Sequence, residues 1–274
     1  MVKRLFILLI VLGLSLTGYA YWTAVSDPVQ RDAHIAVADW PEGAGPLRII
    51  LISDIHVAGP DMPPARLDGI VTRINALEPD LVLIAGDFVS DKILSTYRYT
   101  ADEAVAPLAE LQADYGVFAV LGNHDHWRDA DAFRTALPDG GITLLDNQAV
   151  AAGPVVLVGI GDEFTGHADV SAAMAEAAKM AGPIVVLSHN PDIVPDLPNP
   201  VALVAAGHTH CGQISLPIIG RLATASRYGE RFACGQIDDA GQTVIVTAGL
   251  GTSILPIRLG VPPDFWVIEL GPER

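Results

Sequence analysis

The chain is poor in cysteine and in positive charge. Its 274 residues include two cysteines, Cys211 and Cys234, and no Cys-x-x-Cys pair. A structural zinc site built on thiolates is therefore not indicated. Lys and Arg number 16 against 32 Asp and Glu, for a formal net charge of -16. A nucleic-acid partner is not expected, because a phosphate backbone rewards clustered cations. A phosphorylated substrate stays compatible with this acidity if bound cations reverse the local charge. Internal repeats and low-complexity segments are also missing, as is any composition shift or linker between residues 47 and 270. One domain is the expectation for residues 47–274.

Hydrophobic residues are abundant, at 50% of the chain. Lys3 and Arg4 precede an apolar run from Leu5 to Leu16, and the sequence stays mostly apolar through Tyr21, Trp22 and Val25. This is the pattern of an export signal, with Gly18 and Ala20 small enough for cleavage after Ala20. Leu5 to Val25 also has the length of a bilayer-spanning helix, with Tyr19, Tyr21 and Trp22 in the outer interface. We expect residues 1–26 to be an uncleaved single-pass anchor in the inner (cytoplasmic) membrane, with the domain on the extracytoplasmic side. Secretion to the periplasm after cleavage is the alternative. Residues 27–46, with Pro28, Pro41 and Pro46, read as a tether leading into an edge strand at His34–Ala38, with His34 on its surface. Outside the cytoplasm Cys211 and Cys234 could pair. The sequence leaves that open.

From Leu47 onward, aliphatic runs alternate with amphipathic segments. Leu47–Ser53, Leu81–Ala85, Gly116–Val120, Ile142–Leu145, Val155–Ile160, Ile184–Leu187 and Val201–Ala206 read as strands. Pro63–Leu77, Asp102–Gln112, Asp129–Leu137 and Val170–Met180 read as helices, the first with an inner stripe of Leu67, Ile70, Val71, Ile74 and Leu77. This order implies an α/β fold with parallel crossovers, which brings Asp87 beside Asp54. The last third, with Val244–Val246 and Trp266–Leu270 between glycine and proline turns, reads as a second sheet of more antiparallel character.

Polar groups follow the strands: Asp54-Ile55-His56, Gly86-Asp87, Gly122-Asn123-His124-Asp125, Gly161-Asp162, Ser188-His189 and Gly207-His208-Thr209-His210. Strand carboxyl ends are where α/β proteins place their sites. Asp54, His56, Asp87, Asn123, His189, His208 and His210 together offer about what two divalent ions require, with one carboxylate bridging and waters completing the shells. Carboxylate, amide and imidazole donors suit Mn, Fe or Zn. Two such ions about 4 Å apart would clamp a phosphoryl group and lower the pKa of a bridging water for in-line attack. His124 is the candidate general acid, with Asp125 holding its other ring nitrogen. His126 and Trp127 either line the substrate mouth or start a helix. Arg258 either steadies a phosphate or makes a structural ion pair. Asp162 reads as a turn aspartate and His167 as a surface residue. Any one of these groups alone reads as a satisfied core histidine or turn aspartate; their joint pattern marks a site.

The five blocks Asp54-x-His56, Gly86-Asp87, Gly122-Asn123-His124-Asp125, Ser188-His189 and Gly207-His208-x-His210 resemble, in content and order, the calcineurin-like metallophosphoesterases. The resemblance implies a four-layer α/β/β/α sandwich of two mixed sheets flanked by helices. It implies one metal held by Asp54, His56, Asp87 and His210, and a second held by Asp87, Asn123, His189 and His208. The apolar N-terminal segment, His189-Asn190-Pro191-Asp192, His210-Cys211-Gly212-Gln213 and Gly249-Leu250-Gly251-Thr252-Ser253 look like the bacterial membrane-associated phosphodiesterase branch, with Cys211 where a glycine would be ordinary. The implied activity is hydrolysis of a phosphodiester or pyrophosphate bond in a small-molecule or lipid-linked substrate. A phosphomonoesterase or nucleotidase, and a non-catalytic metal-binding envelope module, are the alternatives.

Overall fold

The structure, a computed structural model, describes residues 2–198 and 201–273. Met1 and Arg274, the outer limits of the expected anchor and domain, lie outside the described residues. Two six-stranded sheets carry the fold. The first runs Val29–Val37, Asp264–Pro272, Leu47–Ile52, Leu81–Ala85, Val117–Val120, Thr143–Leu144. The second runs Gly235–Asp239, Gln242–Val246, Leu203–Ala206, Ile184–Ser188, Val155–Ile160, Gln148–Ala152.

The continuous apolar runs follow from this layering. Ile49, Leu51, Leu81, Leu83, Leu157, Val185, Leu187, Leu203 and Ile245 fill the core between the sheets. Their neighbours Ile50, Ile52, Val82 and Ile84 face the helices Pro64–Asn75 and Asn123–Asp139. Val156, Val158, Val186, Val204 and Val244 pack against Val170–Ala177 and Phe232 on the opposite flank. Both faces of each sheet are dry, so period-two alternation connects two apolar environments and no polar stripe results. The four-layer sandwich of two mixed sheets is thus present.

Parallel pairing sets the site. Ile52 pairs with Ile84 and Ala85 with Val120, which aligns the chain ends carrying Asp54, Asp87 and Asn123. In the second sheet Leu187 pairs with Ala205, which aligns His189 with His208.

Three expectations change. The last third does not build a sheet of its own. Gln242–Val246 joins the second sheet parallel to Leu203–Ala206, whereas Asp264–Pro272 returns to the first and lies antiparallel to Leu47–Ile52. Glycine and proline turns mark chain reversals but not which sheet the chain enters next. Residues 27–46 are only partly a tether, because Val29–Val37 pairs along its whole length with Asp264–Pro272. Asn123 opens a helix, kinked at Asp129, in place of a loop.

The helix Val2–Val25 is long and apolar enough, by length and composition, to cross a membrane, and it is mostly exposed. Twenty-four residues span about 36 Å at 1.5 Å per residue. Ala20, Thr23 and Ala24 are buried against the domain, and the Arg258 backbone N–H donates to the Ala20 carbonyl at 2.9 Å. Cys211 and Cys234 form a disulfide, which closes a segment of 23 residues beside His210. Closing a loop of that size contributes about 3 kcal/mol in the chain-entropy account.

A buried ion pair that the sequence did not signal ties three loops together. Lys92 Nζ donates to Asp61 Oδ1 and Oδ2 at 2.7 and 2.8 Å and to Thr252 Oγ1 at 3.1 Å, and all three side chains are fully buried. Replacing Asp61 with Ala would strand a buried ammonium. We expect Asp61→Ala to lower unfolding free energy by about 3–5 kcal/mol in urea titration. Asp61→Ala combined with Lys92→Met should recover much of that loss.

Candidate metal centre

The seven sequence-selected donors meet where the carboxyl ends of the two sheets' parallel strands converge. Asp54 and His56 follow Leu47–Ile52, Asp87 follows Leu81–Ala85, and Asn123 follows Val117–Val120. His189 follows Ile184–Ser188, and His208 and His210 follow Leu203–Ala206. Asp54, His56, Asp87, His208 and His210 all have positive φ, between 47° and 68°. Left-handed backbone costs a residue with a Cβ about 1–3 kcal/mol and is characteristically kept where a site demands it. Glycine permits the loops to touch. A Cβ on Gly122 would collide with the Asp87 carboxylate, and one on Gly207 with Asp54 and Ser53.

The donors form two groups around Asp87. In the first, His56 Nε2 and His210 Nε2 are 3.0 Å apart, and Asp54 Oδ1 is 3.3 Å from His210 Nε2. In the second, Asn123 Oδ1 is 3.0 Å from His189 Nε2 and 2.9 Å from His208 Nδ1. Asp87 Oδ2 lies between them, 3.5 Å from His56 Nε2 and 3.4 Å from His189 Nε2. Donors sharing one ion at about 2.1 Å are separated by roughly 3.0–3.4 Å for octahedral to tetrahedral angles, so these spacings fit a metal.

Other observations agree. His56 Nδ1 faces the Val89 carbonyl at 3.1 Å and His189 Nδ1 the Ala85 carbonyl at 2.7 Å, which orients each ring and aims Nε2 inward. Asp54 Oδ1 is buried without a hydrogen-bond partner, whereas Asp54 Oδ2 accepts from Ser53 Oγ and the His208 amide. An orphaned carboxylate oxygen of this kind calls for a cation. Burial pushes Asp54 up to about 6 and holds His56 and His210 well below the usual imidazole range. Burial also opposes charge on His189, yet neighbouring Asp87 reverses this and raises it well above its ordinary value. Burial thus keeps His56 and His210 as neutral nitrogen donors, whereas Asp87 favours positive charge beside His189.

His124 is half-buried, with its ring 4.8 Å from that of His56. Its Nδ1 is 3.4 Å from Asp91 Oδ2. Asp125 does not hold His124. The Asp125 carboxylate is fully buried and accepts from the amides of Asp87, Phe88 and Gly122 at 2.8–2.9 Å. Sequence adjacency suggested the pairing, but the helix that begins at Asn123 turns Asp125 back toward the loops it caps. Nothing in the polar stretch after Ser90 distinguishes Asp91 as the partner. Arg258 is also corrected as a phosphate contact. It is fully buried, its guanidinium donates to the carbonyls of Ala248, Gly249 and Gly251, and its Nη2 is 3.4 Å from His210 Nδ1. His126 stacks on His167 with centroids 3.9 Å apart. Asp162 is a turn residue that accepts from Thr165 N and Oγ1.

A cavity of about 520 Å³ opens onto the cluster. Its lining includes the polar Asp87, Asn123, His124, His208 and His210 and the aliphatic Ile214, Leu222, Ile254 and Leu255. Trp127 and Phe164 flank the mouth, 6.0 Å apart, with Phe164 4.9 Å from His208. The apolar wall carries no sequence motif, since its residues come from loops far apart in the chain.

The family model described as "Calcineurin-like phosphoesterase" matches residues 47–212. The chain is 31% identical over 277 aligned positions to a Danio rerio protein named "Transmembrane protein with metallophosphoesterase domain", covering 92% of this chain and 60% of that one. It is 29% identical over 238 positions to YkuE of Bacillus subtilis (strain 168), described as an uncharacterized metallophosphoesterase, covering 84% of this chain and 81% of the relative. It is 30% identical over 244 positions to "Phosphodiesterase YaeI" of Escherichia coli (strain K12), covering 85% and 86%.

Because Asp125 satisfies buried amides, Asp125→Ala should leave three donors unpaired, at about 1–3 kcal/mol each. The expected outcome is a lower urea midpoint together with reduced metal stoichiometry by elemental analysis. Asp125→Asn, which keeps one accepting oxygen, should fall between that variant and the parent.

Proposed function

Since the chain belongs to the calcineurin-like phosphoesterase family, we propose that it is a dinuclear metal-dependent hydrolase that cleaves a phosphodiester or pyrophosphate bond. The observation that carries this is the position of Asp87 Oδ2, within 3.5 Å of a histidine nitrogen from each donor group. Asp54, His56, His210 and Asp87 would hold one ion, and Asp87, Asn123, His189 and His208 the other. Divalent ions bound there would supply a water activated near neutral pH and offset charge on the phosphoryl oxygens. Mn, Fe and Zn all accept this mixture of donors.

The remaining chemistry belongs to the chain. His124 lines the cavity and has Nδ1 toward Asp91, so Nε2 is the ring nitrogen left to pass a proton to the leaving oxygen. Asp91 orients that ring. Asp87 Oδ1 accepts from the His124 amide at 2.8 Å, so the same carboxylate that faces both donor groups also places the acid. Trp127 and Phe164 screen the reacting centre from bulk water, which strengthens each electrostatic contact inside. The diester reading is supported by the name of the Escherichia coli relative.

We further propose that the helix Val2–Val25 anchors the domain to the inner membrane, on its extracytoplasmic side. Its length and apolar surface support the anchor, as does the name of the Danio rerio relative. The Cys211–Cys234 disulfide supports the side, because oxidising compartments preserve such bonds.

Thorough chelation should abolish hydrolysis of an aryl phosphodiester, and Mn, Fe or Zn should restore it; undiminished turnover after metal removal would overturn the proposal. His124→Ala should reduce turnover by about 10²–10⁴-fold. Metal content of that variant should match the parent. A metal-depleted His124→Ala protein would instead assign the residue to ion binding.

A further inference from the structure

Six large aliphatic side chains stand exposed on three loops beside the cavity. Ile218 is fully exposed, and Ile219, Leu222, Ile254, Ile93 and Leu94 are between 58% and 74% exposed. Large aliphatic side chains exposed together on linked loops mark an interaction site. Ile218 and Ile219 lie at the tip of the hairpin formed by Ser215–Leu216 and Gly220–Arg221. Tips in water favour Asn-Gly or Asp-Gly. Here a β-branched residue, Ile218, occupies φ 70°, a conformation that such residues rarely adopt.

The three loops are joined through one segment, residues 251–259, and that segment also touches the long helix. The Arg258 amide donates to the Ala20 carbonyl at 2.9 Å. The Ile254 carbonyl accepts from the Ile93 amide at 3.1 Å. The Leu259 carbonyl accepts from the Ser215 amide at 2.8 Å at the base of the hairpin. Tyr19 and Trp22 are exposed on either side of Ala20 in sequence, with ring centroids 5.9 Å apart. Exposed Tyr and Trp near the end of a spanning helix sit at the headgroup level. The contact with Ala20 therefore brings the segment, and the loops bonded to it, to the bilayer surface. Leu222 and Ile254 belong to both surfaces, since with Ile214 and Leu255 they also line the cavity that holds the metal-binding donors.

We propose that Ile218, Ile219, Ile254, Ile93 and Leu94 dip into the lipid surface beside the helix, and that the cavity takes an amphiphilic phosphoester, its phosphoryl group at the donors and its alkyl chain along the apolar wall. This rests on the dimetal and anchor readings above and adds to them a docking surface and a substrate class. Burying even a few Ile and Leu side chains in lipid is favourable, which suffices for a domain already tethered to the membrane. The hairpin tip is the cleanest handle, because Ile218 and Ile219 do not line the cavity.

The test uses the full chain in phosphatidylglycerol–phosphatidylcholine vesicles. An environment-sensitive fluorophore is placed at Ile219→Cys, the two native cysteines being paired. Lys179→Cys, just past the helix Val170–Ala177, is the comparison site. Emission at position 219 should shift to the blue and be quenched by lipid-borne nitroxide, with no change at 179. A water-like spectrum at 219 would overturn the docking. In parallel, hydrolysis of p-nitrophenyl hexadecyl phosphate in vesicles is compared with that of soluble p-nitrophenyl methyl phosphate. Ile218→Ser with Ile219→Ser should lower kcat/KM for the hexadecyl ester at least tenfold and leave the methyl ester unchanged. Equal kcat/KM for both esters in the parent, or an equal fall for both in the variant, would overturn the substrate class. Lipid signals at 219 with neither ester hydrolysed by the metal-loaded parent would remove the phosphoesterase reading and leave the docking standing.

Discussion

Asp87 governs the structure, because its carboxylate faces donors from both sheets at once. Within 3.5 Å of one oxygen lie His56 Nε2 on one side and His189 Nε2 on the other. These groups are buried, burial holds His56 and His210 well below the usual imidazole range, and Asp54 Oδ1 has no partner. Such a cluster repels itself in the absence of positive charge, and burial in a low-dielectric interior amplifies that repulsion. Cations would relieve it. Much of the surrounding architecture can be understood as holding these donors together against their mutual repulsion.

Three devices provide the hold. Parallel pairing between Ile52 and Ile84 and between Ala85 and Val120 fixes neighbouring chain ends to within a strand spacing. Glycines at 122 and 207 let those ends approach closer than a Cβ would allow. Asp125 gathers the amides of Gly122, Asp87 and Phe88 on one carboxylate, so that two of the loops cannot drift apart. The buried Asp125 carboxylate, and the left-handed backbone of Asp54 and Asp87 that these devices support, are costly in isolation. They persist because the dry two-sheet core over-determines the strand positions.

Arg258 and the Lys92–Asp61–Thr252 group extend this rigidity toward the N-terminal helix. The Arg258 side chain is held by carbonyls of residues 248–251 and reaches His210, while its backbone binds Ala20. The helix ends at Val25 and a paired strand begins at Val29, so the two are joined by a short turn. Under the proposed anchoring, a helix connected in this way would fix the orientation of the cavity as well as its distance from a bilayer.

Much of this was legible in the sequence. Aliphatic runs such as Leu81–Ala85 and Val155–Ile160 marked strands to the residue, because each face of those strands meets its own apolar layer. Polar residues immediately after such runs, from Asp54 to His210, marked the edge where a site would form, because strands alternating with helices commonly pair in parallel through crossovers, which gathers their carboxyl ends. What lay beyond reach depended on distance in space. The Cys211–Cys234 bond, the turning of Asp125 onto backbone amides, the partnership of Asp91 with His124, the burial of Arg258 and the return of Asp264–Pro272 to the first sheet each join segments that no local pattern relates. Periodicity and spacing record what a residue does for its own strand or helix. Which distant group it then meets is decided by how whole layers pack, and only the folded chain contains that information.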